Sequence, residues 1–310
     1  MKIGYVGLGS MGGALAERLQ LTHELVVYDQ SISAIERMVD AGAEAAADLP
    51  GLAAACDVIF LCLPTSVHVR EVIFGSEGLV SGLRAGTTIV DQTTGDPNET
   101  RRMVGELAQI GVDLIDAPVS GGIAGAQAGT IAIMVGATEA QYARVRPMLN
   151  AISQNIFHAG DVGNGHVIKL VNNLMSTAQR LLSFEAMALA AKNGVSPQKA
   201  VEILVASGGR NAYLERMMGP RILQGKLNVG FTLGLAHKDA RLACQLGIES
   251  GVPMFFGNLT RELYQTCIAE MGANNQVDTV GQFFDRLAGT AVVPMKTDLP
   301  AGANRQEKVK

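Results

Sequence analysis

No stretch of this chain is apolar for long enough to cross a bilayer; segments such as residues 51–62 are rich in small apolar residues but short and interrupted. It has no long basic run either. Its formal net charge is −4, from 25 Lys and Arg against 29 Asp and Glu, which argues against a nucleic-acid partner. Histidine is scarce, and the five residues form no cluster with metal-ligand spacing, so no catalytic metal is expected. Cysteine is scarce too. Cys56, Cys62, Cys244 and Cys267 lie scattered without CxxC spacing and read as buried free thiols in a reducing compartment. Met1 leads directly into a strand pattern, which leaves no room for a signal peptide and predicts a cytoplasmic protein. What the chain does have is apolar residues, 48% of 310, which excludes a disordered chain and suffices for two domains with cores.

The first thirty residues are the most specific. Residues 2–6 form a short apolar strand pattern that runs into Gly7-Leu8-Gly9-Ser10-Met11-Gly12, a GxGxxG turn. Met11, Leu15 and Leu19 then repeat on one helical face, and residues 25–28 form a second apolar strand ending at Asp29. Strand, glycine turn, helix and strand make the unit that holds a dinucleotide. Gly7 permits the tight turn, Gly9 lets the backbone approach a pyrophosphate, and Gly12 lets helix pack on strand. The helix N-terminus presents N–H groups and a positive dipole end to phosphate. Asp29 stands where an acid accepts hydrogen bonds from ribose hydroxyls, which favours NAD over NADP. The bland alternatives are an ordinary strand-to-helix turn and a turn aspartate.

Up to about residue 160, apolar strand patterns (57–63, 87–91, 113–116, 130–135 and 155–158) alternate with helical ones such as 97–110. This predicts an α/β fold whose N-terminal domain is a Rossmann-type doubly wound, mostly parallel sheet. After Gly160 the pattern becomes helical, beginning with an uninterrupted run over 166–192, and no strand pattern follows. The expected organisation is a dinucleotide-binding domain over 1–162, an all-α C-terminal domain over 163–296, and a polar, mobile tail over 297–310. The long helix has apolar residues on several faces, among them Leu170, Leu174, Leu181, Leu182, Phe184, Met187 and Leu189, so a second subunit is expected to cover part of it.

Lys169 lies about one turn inside that helix, with Asn173 four residues on and therefore on the same face. The helix dipole and the apolar neighbours Ile168, Leu170 and Val171 both oppose its charge, which suits it to proton transfer near neutrality. A solvated surface lysine is the alternative. Asp116-Ala117-Pro118-Val119-Ser120-Gly121-Gly122 follows a strand; the Ser120 hydroxyl and the Gly121 and Gly122 amides suit a carboxylate, or else form a plain glycine turn. Leu63, Pro64 and Thr65, and Thr93 and Thr94, also follow strands, where loops of such sheets touch a cofactor. Lys238, in His237-Lys238-Asp239 on a predicted helix, is a further candidate against a solvated lysine.

These motifs, in this order, resemble the β-hydroxyacid dehydrogenase family, which includes 3-hydroxyisobutyrate dehydrogenase, tartronate semialdehyde reductase and, more distantly, 6-phosphogluconate dehydrogenase. Residues 6–12, 116–122, 163–173 and 238–239 carry the likeness, which extends to about residue 290. The resemblance implies hydride transfer between NAD and a small 3-hydroxy acid. Lys169 would be the acid/base and Asn173 would orient substrate. Ser120, Gly121 and Gly122 would hold the carboxylate, and Lys238 would approach the nicotinamide. The resemblance also implies an interlocked homodimer or homotetramer. Asp29 stands where NADP-preferring members often carry arginine. Residues 207–211 resemble the part of the family that varies with substrate, and they differ from the tartronate semialdehyde reductase pattern. An imine reductase on the same scaffold and a catalytically silent NAD-binding protein are the rival readings; retention of Lys169 and of the substrate motif speaks against both.

Overall fold

In the computed structural model, residues 1–294 are described, so the expected tail over 297–310 lies outside the described residues. The strand patterns fold as β1 (Ile3–Val6), β2 (Leu25–Tyr28), β3 (Glu44–Ala45), β4 (Val58–Leu61), β5 (Thr88–Asp91), β6 (Asp113–Asp116), β7 (Val119–Ser120), β8 (Ala132–Val135) and β9 (Ile156–His158). Between them run α1 (Ser10–Gln20), α2 (Ile32–Asp40), α3 (Leu49–Ala55), α4 (Ser66–Phe74), α5 (Pro97–Ala108), α6 (Gly122–Gln127) and α7 (Glu139–Ile152).

The first six strands form one all-parallel sheet in the order β3-β2-β1-β4-β5-β6. Its central strands β1, β4 and β5 are buried at every residue, as expected for a sheet covered on both faces. Alternate residues feed two cores. Ile3, Tyr5, Val27, Phe60, Val90 and Ile115 pack with Leu15 and Leu19 of α1. Val6, Val26, Ile59, Leu61, Ile89 and Leu114 pack with Leu52 of α3 and with Met103 and Leu107 of α5. The register aligns the strand ends in one row: Val6 lies opposite Tyr28 and Leu61, Leu61 opposite Asp91, and Asp91 opposite Asp116. The loops after these strands therefore leave from one edge of the sheet. Strand order reverses between β1 and β4, the position where such sheets bind ligands.

The last strands depart from the expected single sheet. β7, β8 and β9 form a separate three-stranded sheet, β7 antiparallel to β8 and β8 parallel to β9. The chain changes partners at this point: Ala117 still donates to Asp91 O at 2.7 Å, while on its other side the Pro118 carbonyl accepts from Met134 N at 3.0 Å.

α8 (Asn164–Lys192) follows. The chain divides into compact units between Leu170 and Val171, inside this helix. The first turn of α8 belongs to the first unit because Asp116, at the end of β6, bonds its N–H groups (below). From Val171 onward the described residues form the rest of α8, α9 (Pro197–Val205), α10 (Leu233–Ser250), α11 (Phe255–Met271) and α12 (Val280–Ala288), with a π-helical turn at Leu214–Met218 and no named strand. Leu181, Phe184 and Met187 of α8 are buried in its core with Tyr213, Tyr264 and Phe283. Among the described residues no helix is long and apolar enough to cross a membrane.

All four cysteines are free. Burial pushes each thiol up, Cys62 to about 12 and Cys56 and Cys267 to about 11. Burial favours the protonated form, so the native chain keeps these protons above the ordinary thiol range of about 8.5. At pH 8 a disulfide reagent should label Cys56, Cys62 and Cys267 at least about a hundredfold more slowly than a free thiol, and Cys244 more slowly as well. All four cysteines should react after denaturation. Rapid native labelling of any one would contradict this account.

Candidate active site

The glycine turn contains two kinds of glycine. Gly7 has φ +93°, and a Cβ there would lie 2.3 Å from the Cys62 carbonyl oxygen. A Cβ at Gly12 would lie 2.0 Å from the carbonyl oxygen of Gly7. Both are glycine because the chain itself occupies the space. At Gly9, φ is −61° and a Cβ would meet nothing within 4 Å. The absent side chain at Gly9 has no explanation inside the protein, and it leaves open space at the start of α1. No side chain caps α1, so its first N–H groups suit a phosphate. Leu8 is buried beneath the turn, Ser10 is exposed and Met11 is half-buried. These residues fit a dinucleotide.

Asp29 stands beside the same turn. Its Oδ2 accepts the Leu8 N–H at 2.6 Å and its Oδ1 the Ser31 N–H at 2.7 Å. A carboxylate has about four acceptor positions, so two remain for ribose hydroxyls. The loops after β4 and β5 are joined: the Leu63 N–H donates to Thr93 Oγ1 at 3.1 Å, with Pro64 following. Thr93 is itself buried. Ser120 ends β7 half-buried, and Gly121 and Gly122 are exposed where α6 begins.

Lys169 is 7% exposed, which rules out the solvated surface lysine. It sits in the second turn of α8, and the start of that helix is fixed by groups the sequence reading missed. Asp116 Oδ1 accepts the Gly163 N–H at 2.6 Å, and its Oδ2 the His166 N–H at 2.7 Å. The His166 imidazole reaches Thr93 O at 2.9 Å and Thr100 Oγ1 at 3.0 Å. Asp91 completes the cluster, with Oδ2 3.8 Å from His166 Nε2. Asp91, Asp116 and His166 are fully buried. Burial pushes the Asp91 carboxyl above its usual range, against the opposing pull of His166 and of the Thr93 hydrogen bonds.

In the second unit, two further candidates converge on one acid. Asn173 Nδ2 donates to Asp239 Oδ2 at 2.6 Å, and Lys238 Nζ lies 3.1 Å from Asp239 Oδ1. Asp239 is 1% exposed, so Lys238 is held by a buried carboxylate and is not a freely solvated lysine. Among the described residues no group of three or more His, Cys, Asp or Glu could hold a metal ion.

Residues 2–160 match the family described as the NAD binding domain of 6-phosphogluconate dehydrogenase. Residues 163–283 match that described as NAD-binding of NADP-dependent 3-hydroxyisobutyrate dehydrogenase. The chain is 36% identical to 2-(hydroxymethyl)glutarate dehydrogenase of Eubacterium barkeri, over 94% of this chain and 97% of that one. The chain belongs to the β-hydroxyacid dehydrogenase family. This dehydrogenase is also 33% identical to the NAD-dependent L-serine dehydrogenase of Pseudomonas aeruginosa, over 93% and 99% of the two chains. It is similar to a solved structure of Mycobacterium tuberculosis 3-hydroxyisobutyrate dehydrogenase with L-serine, at TM-score 0.82 and 26% identity over 91% and 98% of the chains. As a member of this family it is an oxidoreductase that acts on a CH–OH group with a nicotinamide dinucleotide.

The two kinds of glycine make a sharp test in this dehydrogenase. Gly9→Ala should cost no more than about 1 kcal/mol of unfolding stability, the loss of a favourable N-cap residue. It should weaken NAD binding at least about tenfold, or about 1.4 kcal/mol. Gly12→Ala should instead destabilise the fold by about 1–3 kcal/mol. Calorimetric titration with NAD beside denaturant unfolding separates the two, and unchanged NAD affinity in Gly9→Ala would show that the open space at Gly9 is not the cofactor's.

Proposed function

We propose that this dehydrogenase interconverts a small 3-hydroxy acid of the 3-hydroxyisobutyrate type and its semialdehyde, with NAD preferred and Lys169 as general acid/base. The observation that carries this reading is the buried Lys169 on the second turn of α8, in the same compact unit as the glycine turn and Ser120. Bound NAD supplies the acceptor for hydride in oxidation, and NADH the donor in reduction. In the oxidative direction neutral Lys169 Nζ takes the proton from the substrate hydroxyl; in reduction the ammonium returns it to the carbonyl oxygen. Ser120 and the amides of Gly121 and Gly122 hold the carboxylate, which fixes the position of the carbinol carbon. Asn173, tethered by Asp239, orients the substrate, and Lys238, paired with the same acid, serves the nicotinamide side. Gly7, Leu8, Gly9, Ser10, Met11 and Gly12 hold the pyrophosphate, with Leu63, Pro64 and Thr93 along the cofactor. Asp29 selects NAD because its carboxylate repels a 2′-phosphate. A buried lysine at position 169 favours a hydroxy acid over the imine of the rival reading.

Lys169→Ala should lower kcat by about 10²–10⁴ while NAD affinity holds. Lys169→Arg should not restore activity, because guanidinium does not give up its proton near neutral pH. In the wild-type protein, steady-state oxidation of 3-hydroxy acids should favour NAD over NADP by at least about tenfold in kcat/KM. Near-parental kcat in Lys169→Ala would remove the acid/base assignment.

We also infer a homodimer or homotetramer. Met175, Leu182 and Leu189 repeat every seven residues along α8 and are 57%, 64% and 68% exposed; Phe255 and Phe256 of α11 are above 80% exposed. Light scattering should give a multiple of the 32.5 kDa chain mass, and Leu182→Glu should lower it. A monomer mass for the wild-type protein at micromolar concentration would refute the assembly.

A further inference from the structure

We propose that His166 is a positioning residue that locks the start of α8, and Lys169 with it, to the loops following β4 and β5. The inference rests on the acid/base reading of Lys169 and assigns the groups that aim it.

The connection is continuous and lies inside one compact unit. The Leu63 N–H donates to Thr93 Oγ1 at 3.1 Å, and Thr93 O lies 2.9 Å from His166 Nε2. A carbonyl oxygen only accepts, so Nε2 carries the proton in this bond. On the other side of the ring, Nδ1 lies 3.0 Å from Thr100 Oγ1, and the Thr100 hydroxyl also reaches Asp96 O at 3.1 Å. The ring thus ties α8 to a strand-end loop and to the first turns of α5 at once. The Thr93 loop runs close against the imidazole: a Cβ at Gly95 would lie 3.0 Å from His166 Cε1. The charged groups facing the ring are Asp91 Oδ2, 3.8 Å from Nε2, and Asp116 Oδ2, 3.9 Å from Nδ1.

Position in the helix turns this anchor into a functional one. His166 and Lys169 are three residues apart and so are surface neighbours on α8. Asp116 holds the Gly163 and His166 N–H groups, and Asn164 bonds Ala159 O and Arg101 at the outer end of the helix; the two ring bonds restrain the inner side, toward Lys169. A displacement of about 1 Å at a reacting group can cost about a hundredfold in rate.

The test uses the 310-residue protein with four variants. His166→Leu should lower kcat by about 10- to 100-fold, with KM for the acid and Kd for NAD changed less than about threefold. In the same variant without cofactor, amide hydrogen exchange over residues 163–170 should quicken while the central strands stay protected. His166→Gln should recover kcat to within about threefold, because its amide N–H can donate to Thr93 O in place of Nε2–H. Thr100→Val removes one partner at nearly constant volume, and should give a smaller kcat loss with the same exchange signature. If His166→Leu fails to fold, the Gln and Val variants decide: parental kcat and parental exchange in Thr100→Val overturn the proposal. A folded His166→Leu that loses thermal stability but keeps parental kcat overturns it as well, since that is a structural role only. Lys169→Ala runs in parallel. If it keeps kcat, the acid/base reading fails, while the exchange of the cofactor-free variants still decides whether His166 holds the helix.

Discussion

The Asp116 carboxylate is where three parts of the first unit meet. Its backbone ends β6 and pairs with Gly136, just past β8, through a 2.7 Å bond from Gly136 N to Asp116 O. Its two oxygens take the N–H groups of Gly163 and His166 where α8 begins. One residue therefore joins the six-stranded sheet, the three-stranded sheet and the helix that bears Lys169. The space around it is cut to fit. A Cβ at Gly136 would lie 2.3 Å from Oδ1, and one at Gly165 would lie 2.8 Å from Oδ2 and 2.4 Å from Met134 O. The second glycine of Gly163-Asn164-Gly165 thus serves the close approach of strand and helix start, with the carboxylate between them. A buried carboxylate bonded to helix N-terminal amides is stabilised by charge and dipole together, and an amide left without it would be orphaned at about 1–3 kcal/mol.

Three aspartates end parallel strands, or directly follow one, and their surroundings give them different work. Asp29, half-buried, takes backbone N–H groups of the glycine turn and the following loop and keeps acceptor capacity toward solvent. Asp91, fully buried, spends one oxygen on the Thr93 N–H at 2.9 Å, and burial pushes its carboxyl upward. Asp116 is buried equally deeply, but both its oxygens are bonded. The row of aligned strand ends places such residues along one edge of the sheet, so one topology yields a half-buried acceptor beside the glycine turn, a buried acid and a helix anchor.

The parts legible in the sequence are those whose signal is local. Four-residue strands buried on both faces read as continuous apolar runs, and the sequence pattern places α8 within two residues of its start because nothing breaks its period. β3 escaped notice because Glu44 and Ala45 are both exposed and form no run. β7 escaped because two residues after a proline carry no periodicity, and with it went the separate second sheet. The site divides in the same way. The glycine turn, Asp29 and Lys169 stand out by motif and position, but position alone does not say that Lys169 is buried. Asp91 and His166 were not found, because a buried polar group declares itself through partners distant in sequence: His166 meets Thr93 across 73 residues and Asp116 across 50.

Long helices anchored by apolar contacts alone can slide and roll, because dispersion is not directional. α8 is anchored differently in each unit it enters. In the first, Asp116 and His166 hold it by directional bonds. In the second, Arg180 donates to Asp278 Oδ1 at 2.8 Å, the Tyr213 hydroxyl donates to the same oxygen at 2.8 Å, and the guanidinium lies 5.0 Å from the Tyr213 ring centroid. Arg180 and Asp278 are buried, and a buried ion pair adds little net stability over an apolar replacement of the same shape. Its contribution here is register: the planar guanidinium accepts few orientations, and the shared carboxylate oxygen fixes Tyr213 at the entry to the π-helical turn. Lys169 lies three residues beyond His166 in the first unit, so the directional bonds there set its height along the helix, which the proposed proton transfer requires and apolar packing alone would not enforce.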